Sequence, residues 1–331
     1  MNQGLENIVI KGLGAYVPER VLTNDDLSKI VDTSDEWIRT RTGIGERRIA
    51  ASGEATSDLC VQAAQLAIED AKVGAKDIDL IILGTLAPDM LTPATAMFVQ
   101  HKLGIKNIPC FDFGAACSGF QYGLEVSRMM LLYPKYKNVL LICGDKLSSV
   151  TDWQDRTTCV LFADGAGAVV LSREPGCQCG IVDVLIGSDG EHSDILSIPA
   201  GGSREPASEQ TIRQRKHYWK MDGREVFRLA VQKMGESMVE ILERNNLTIN
   251  DINHVVTHQA NIRIMDAIAN RLAIPPEKVR VTLDKFGNTS ASSIIITIDH
   301  YRKCSVISQG ELILTAGFGA GLTWGSAIIR L

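Results

Sequence analysis

Aromatic side chains are scarce in this chain: Phe, Trp and Tyr make up 5% of 331 residues, against 29 glycines. Packing must therefore rely on small residues and tight turns. Charge of one sign is not in excess either. The net charge is −5 and no basic stripe with interleaved aromatics is present, which excludes a general nucleic-acid binder. An anionic partner would have to be met by a local patch. Long apolar runs are missing: stretches such as Val139–Cys143 and Ile294–Ile298 are strand-length, so no membrane span is expected. Eight cysteines are scattered without framework spacing and no signal peptide precedes them, so reduced thiols in a cytoplasm are expected. Cys177 and Cys179 lack a second Cys or His pair at zinc-site spacing, so no metal is expected. What is left is an ordinary globular composition, 45% hydrophobic and 22% charged, in a chain long enough for two domains or two halves of one.

What the chain does have is a repeat. Glu6–Gly14 resembles Gly180–Gly187, and Asp77–Thr85 resembles Asp251–Gln259. Asp112–Ser118 falls opposite Asp284–Ser290, and Val139–Gly144 opposite Leu312–Gly317. Four matches in order at a nearly constant offset point to an internal duplication, with halves 1–178 and 179–331. Helical spacing of apolar residues over Ser57–Lys72 and Val226–Asn245 leads in each half to an apolar strand. A second helix (Ala94–Leu103; Ile262–Leu272) and another strand follow. Such alternation implies parallel strands covered by helices, and two stacked units give an α/β fold of five layers, α-β-α-β-α. The polar stretch between Ala200 and Lys220 has no counterpart and reads as a surface excursion.

Within this frame Cys117 stands out. Phe111-Asp-Phe-Gly-Ala-Ala-Cys117-Ser-Gly-Phe120 reads as a buried strand that turns sharply and starts a helix near the cysteine. Backbone N–H groups and the positive helix end favour a thiolate there, the nucleophilic form. The duplication places two further reactive side chains on comparable strand-end loops. His258 ends the strand Val255–His258, and Asn288 lies one position from the place opposite Cys117. Ligands gather beyond the carboxyl ends of parallel strands, so Cys117, His258 and Asn288 make an acyl-transfer site. His101, His192, His217, His254 and His300 read as ordinary surface or core histidines.

At this point the chain resembles the β-ketoacyl-acyl-carrier-protein synthase III family of the thiolase superfamily. The marks are Thr33-Ser-Asp-Glu-Trp-Ile-Arg-Thr-Arg-Thr-Gly43, Ala115-Ala-Cys-Ser-Gly-Phe120, Asp164-Gly-Ala-Gly-Ala168, His258-Gln-Ala-Asn261, Gly287-Asn-Thr-Ser290 and Gly317-Phe-Gly-Ala-Gly-Leu-Thr-Trp-Gly-Ser326. The resemblance covers essentially the whole chain. It implies a thiolase-like fold and a priming condensation without a cofactor. Cys117 takes an acyl group from acyl-CoA. Malonyl-acyl-carrier protein then loses CO2 while His258 and Asn288 stabilise the enolate, and the carbanion attacks the acyl group. The same resemblance implies an oxyanion hole from the N–H groups of Cys117 and Ala320, where the family commonly has Gly. It implies Trp37 and Arg156 against the CoA adenine, Arg41 for phosphate, and Thr92 in an acyl pocket that in some members is completed by the partner subunit. Arg228, Arg263 and Arg271 fall where the family shows a basic patch for the carrier protein, with a homodimer as the assembly. Two rival readings remain at the level of the sequence: a specialised acyltransferase or condensing paralogue of secondary metabolism, and a non-catalytic scaffold that binds acyl-CoA or a carrier protein.

Overall fold

A computed structural model describes residues 8–331 of the chain. Two sheets form its frame, and they share one strand order. In the first, β1 (Ile8–Tyr16), β2 (Leu80–Gly84), β3 (Cys110–Phe113), β4 (Asn138–Asp145) and β5 (Gly165–Arg173) lie in the order β1-β5-β4-β2-β3. β2 pairs parallel with β3 and β4, whereas β5 is antiparallel to both β4 and β1. In the second, β6 (Gly180–Ser188), β7 (His254–Thr257), β8 (Leu312–Gly319) and β9 (Thr323–Arg330) lie in the order β6-β9-β8-β7. Pairing senses repeat those of the first sheet. The place of β3 is taken by a single parallel bridge between Val255 and Val279.

Every residue of β2 and β8 is buried, and so are seven of eight in β4. Strands that bury both faces need helices on both sides. Helices α2 (Thr56–Asp70) and α3 (Thr95–Lys102) cover the outer face of the first sheet, α5 (Gly223–Arg244) and α6 (Ile262–Arg271) that of the second. Between the sheets lie α4 (Gly119–Leu132) and α7 (Ser292–Lys303), whose Phe120, Leu124, Leu131, Ile294, Ile295 and Ile298 share one core with both sheets. Each such fully buried apolar side chain contributes about 1.5–3 kcal/mol. The five layers are thus helix, sheet, helix, sheet, helix. The β-branched run Ile294–Ile298, strand-like in composition, is helical here because it is buried on all sides between two sheets.

Helix α1 (Asp35–Thr42) leaves the frame and lies beside the strand ends. The Ser34 hydroxyl accepts from Trp37 N–H at its start, and left-handed Gly43 ends it. The stretch between Ala200 and Lys220 is not the free surface excursion its polarity suggests. Arg215 holds buried Asp152 through its Nε at 2.9 Å, and Trp219 at its end is only 4% exposed. Among the described residues no helix is long and apolar enough to cross a membrane.

Candidate active site

Two loops beyond carboxyl strand ends and a third after a short helix over Leu283–Phe286 meet between the halves. After β3 the chain makes a short 3-10 turn over Ala116–Ser118, so Cys117 sits just before α4. The Ser118 hydroxyl donates to Ala115 C=O at 2.7 Å, and the Thr323 hydroxyl donates to the same carbonyl at 2.9 Å, pinning the turn to the second half. Gly319 at the end of β8 packs directly on the Cys117 amide, where any Cβ would collide. His258 follows β7 and its N–H donates to Ala316 C=O. Asn288 is held through its backbone, its N–H to Leu161 C=O and its C=O from Ala163 N–H. Gly287 before it takes φ 64°, a backbone that favours glycine.

Hydrogen bonds orient the two polar side chains. The Ser293 hydroxyl accepts from Gln259 N–H at 3.2 Å and lies 2.8 Å from His258 Nδ1. A Ser293 hydroxyl that donates to Nδ1 puts the ring proton on Nε2. Burial pushes the His258 pKa down to about 4, with a hydrogen bond to the Ser290 backbone working against the shift, so the ring is neutral at physiological pH. The Asn288 Oδ1 accepts from Ser290 N–H at 2.9 Å, which leaves its amide NH2 as the free end. Gln259 ties the two loops together, donating to Thr257 C=O and accepting from Thr282 N–H.

Cys117, His258 and Asn288 are 7%, 3% and 5% exposed and line one cavity of about 600 Å³. Trp37, Arg41, Arg224 and Arg263 line it too, and the three arginines are exposed. Arg41 and Arg224 have no carboxylate partner among the described residues. The Arg156 guanidinium lies over the Trp37 ring at 5.2 Å and donates to Asp32 C=O. A second, smaller cavity of about 10 Å³ lies against Cys117, walled by Leu86, Leu147, Phe162, Leu196, Trp219 and Ala320.

The remaining expected residues lie apart. Thr92 is exposed and lines neither cavity. Arg228 is ion-paired with Glu225 at 2.8 Å, and Arg271 lines a separate groove with Val239 and Leu272. The thiol differs from its expected state: burial pushes the Cys117 pKa up to about 12, outweighing a hydrogen bond from Ser290. A helix start therefore does not by itself leave a resting thiolate. Asp164 of the Asp164–Ala168 run is a structural group, accepting from Ala50 N–H, Ser148 N–H and the Ser148 hydroxyl. Residue patterns missed Ser290, Ser293, Arg224 and Trp219. The two serines lie in the same run as Asn288, the one signal that pointed to them.

A duplicated five-layer frame with these three side chains at the junction defines a condensing enzyme of the thiolase superfamily. Family models described as "3-Oxoacyl-[acyl-carrier-protein (ACP)] synthase III" and its C-terminal part match residues 111–190 and 242–331. A β-ketoacyl-[acyl-carrier-protein] synthase III of Caldanaerobacter subterraneus is 49% identical over 97% of both chains. The chain belongs to the β-ketoacyl-[acyl-carrier-protein] synthase III family, and it is an acyltransferase of the initiating condensation in fatty acid synthesis. The crystal structure of the Aquifex aeolicus synthase III is similar at TM-score 0.90 and 44% identity, over 98% of this chain and 100% of that one. The priming β-ketosynthase of the R1128 polyketide pathway is similar at TM-score 0.90 and 33% identity, over 99% of this chain and 97% of that one.

Proposed function

We propose that the large cavity receives first an acyl-CoA and then malonyl-acyl-carrier protein, and that Cys117 carries the acyl group between them. The observation that supports this best is that His258 and Asn288 line the same cavity as Cys117. In this reading His258 Nε2–H and the Asn288 amide are the donors. Two neutral donors on a thioester oxygen stabilise the enolate left when CO2 departs. A neutral histidine suits this role because it donates without taking up a proton. The enolate carbon then attacks the acyl carbonyl, the Cys117 thiolate leaves, and a 3-ketoacyl-carrier protein results. The N–H groups of Cys117 and Ala320 are the donors for the oxyanion of both acyl-transfer steps. Cys117 and Ala320 border the same small cavity, which supports that pairing.

Trp37 and Arg156 are the adenine clamp in this reading, with Arg41 on a phosphate. The contact between Trp37 and Arg156 has to open by one ring thickness to admit the base. Arg228, Arg263 and Arg271 are the docking residues for the acidic carrier protein in this reading, and of the three only Arg263 lines the large cavity. The walls of the small cavity favour a short primer, acetyl before branched or longer groups. Thr92 lies in a loop where Leu91 is 87% exposed, which supports a homodimer whose partner receives that loop. Halves 1–178 and 179–331, no resident cofactor and a cytoplasmic location complete the proposal. Incubation with a panel of acyl-CoAs tests it: an acyl mass is expected on the peptide carrying Cys117, and no adduct with any of them overturns the nucleophile assignment.

A further inference from the structure

Arg47 is a buried cation that the condensation does not use. Its side chain is fully buried, and no carboxylate pairs with it among the described residues. Burial lowers its pKa only to about 10, so the guanidinium is charged at physiological pH. A buried charge without a counter-ion is costly unless polar groups surround it. Neutral oxygens do so here. Nη1 donates to Asn24 Oδ1 at 2.8 Å and to Leu22 C=O at 3.2 Å, and Nη2 donates to Val160 C=O at 2.9 Å.

The two sides of this fork reach different parts of the site. On one side Asn24 Nδ2 donates to Asp35 Oδ1 at 2.8 Å and to Ile44 C=O at 2.9 Å. Asn24 thereby clasps the first residue of α1 and the residue beyond its Gly43 cap, and α1 carries Trp37 and Arg41. On the other side Val160 C=O is followed by Leu161 C=O, which accepts from Asn288 N–H, and Ala163 N–H donates back to Asn288 C=O. Phe162 and Asn288 form a single parallel bridge. Gly287 lies against the stem of Arg47, where a Cβ would stand 3.1 Å from Arg47 Cβ. Neighbours of Arg47 grip the same region: Gly45 N–H donates to Asp284 C=O at 3.0 Å, and Arg48 C=O accepts from Asp164 N–H at 2.9 Å. The backbone of Asn288 is fixed by a segment that Arg47 holds in turn.

We propose that Arg47 is a positioning residue for Asn288, its planar fork fixing the Val160–Phe162 segment against α1 so that the Asn288 amide meets the thioester oxygen. This role rests on Asn288 acting in decarboxylation, as proposed for this site. Arginine is needed because a lysine brings one point charge and no planar fork to span Asn24 and Val160. An apolar side chain of similar length leaves the Leu22 and Val160 carbonyls buried without this donor, and the segment shifts to satisfy them. A displacement of about 1 Å in a group aimed at developing charge is enough to cost much of its effect. The other two side chains are held elsewhere. His258 is fixed through Ser293 and Ala316 C=O, and the Cys117 turn through Thr323 and Gly319. Loss of Arg47 therefore strikes one partner of the three.

Two half-reactions measured on the same preparations test this: CO2 release from malonyl-carrier protein, and adduct mass on Cys117 at saturating acetyl-CoA. In Arg47→Met the kcat of CO2 release is expected to fall by at least about tenfold, with KM changed by less than about twofold. Acylation is expected to stay within about threefold of the wild type. Arg47→Lys keeps the charge and loses the fork, so its CO2 release should be nearly as slow as that of Arg47→Met. Wild-type CO2 release in Asn288→Ala overturns the reading of Asn288 on which this role rests. Where Asn288→Ala loses the release, three results overturn the role of Arg47 alone: wild-type release in Arg47→Met, an equal fall of both its half-reactions, or full rescue by lysine. Should a thermal melt show that Arg47→Met does not fold, wild-type CO2 release in Arg47→Lys overturns the role.

Discussion

An ideal Cβ on Gly319 would stand 2.4 Å from the Cys117 amide nitrogen and 2.6 Å from Ala116 Cβ. Neither contact is relieved by a rotamer, because one involves backbone and the other a methyl. Gly319 and Cys117 come from different sheets, so this approach sets how closely the end of β8 meets the nucleophile turn. Gly319→Ala is expected to part them, lower the melting temperature and slow acylation of Cys117 by at least about tenfold, a loss of about 1.4 kcal/mol. Adduct mass against time and a thermal melt measure the two effects. Wild-type acylation in this variant would show that the amide at 117 needs no such support.

The tautomer of His258 depends on Ser293, and decarboxylation should report it. Ser293→Ala removes the donor to Nδ1, so the ring proton is shared between both nitrogens. Release of CO2 from malonyl-carrier protein is expected to fall by about tenfold, with little change in KM. Asn288→Ala and His258→Ala should abolish the release while leaving much of the acylation. Equal loss of both half-reactions would contradict the division of labour. Because the His258 pKa is depressed to about 4, wild-type decarboxylation should stay flat on the acid side until pH nears that value. An acid limb near 6.5 would mean that the ring is not desolvated.

The frame was largely legible because its signals are periodic and local. Apolar spacing over Ser57–Lys72 and Val226–Asn245 matches helices Thr56–Asp70 and Gly223–Arg244 to within a few residues. Cys117 and His258 lie after strands as expected, whereas Asn288, expected on a strand-end loop, follows a short helix over Leu283–Phe286. Burial and contact at a distance were not legible. The Cys117 thiol was expected to be acidic from its helix start, yet its surroundings, invisible in the local run, push it the other way. Ser293 acquires its role only by meeting a ring 35 residues away in the chain. Trp219 follows a polar stretch and is buried only because the segment folds back onto Phe162, ring centroids 5.7 Å apart.

That same tryptophan makes primer choice testable. With Leu86, Leu147, Phe162 and Leu196 it leaves about 10 Å³ beside Cys117, room for about one water-sized probe. A short primer needs little more, whereas a branched one needs a wall to move. Trp219→Leu keeps an apolar wall and is expected to cost about 2 kcal/mol of stability. In a competition of acetyl-CoA and isobutyryl-CoA, the adduct ratio should shift toward the branched group by about tenfold, or about 1.4 kcal/mol. An unchanged ratio would place the specificity wall elsewhere.

Asp145 offers a check by stability alone, independent of any turnover. Burial raises its pKa from the usual 3.8 to about 6, against the pull of its Leu86, Thr85 and Ala87 hydrogen bonds. A raised carboxyl pKa means that the folded state holds the proton more tightly than the unfolded chain. Above pH 6 the folded protein therefore bears an ionised, desolvated group, at a cost of about 3 kcal/mol. Below pH 6 the folded state takes up the proton, and by about pH 4 most of the cost is gone. Asp145→Asn removes the charge and keeps an oxygen for Thr85, Leu86 and Ala87. The variant should thus melt higher than the wild type at pH 7.5, and the gap should shrink as pH falls through 6 toward 4. His258 titrates in both proteins and drops out of the difference. A gap that is constant with pH would mean that Asp145 is as easily ionised as a surface carboxylate.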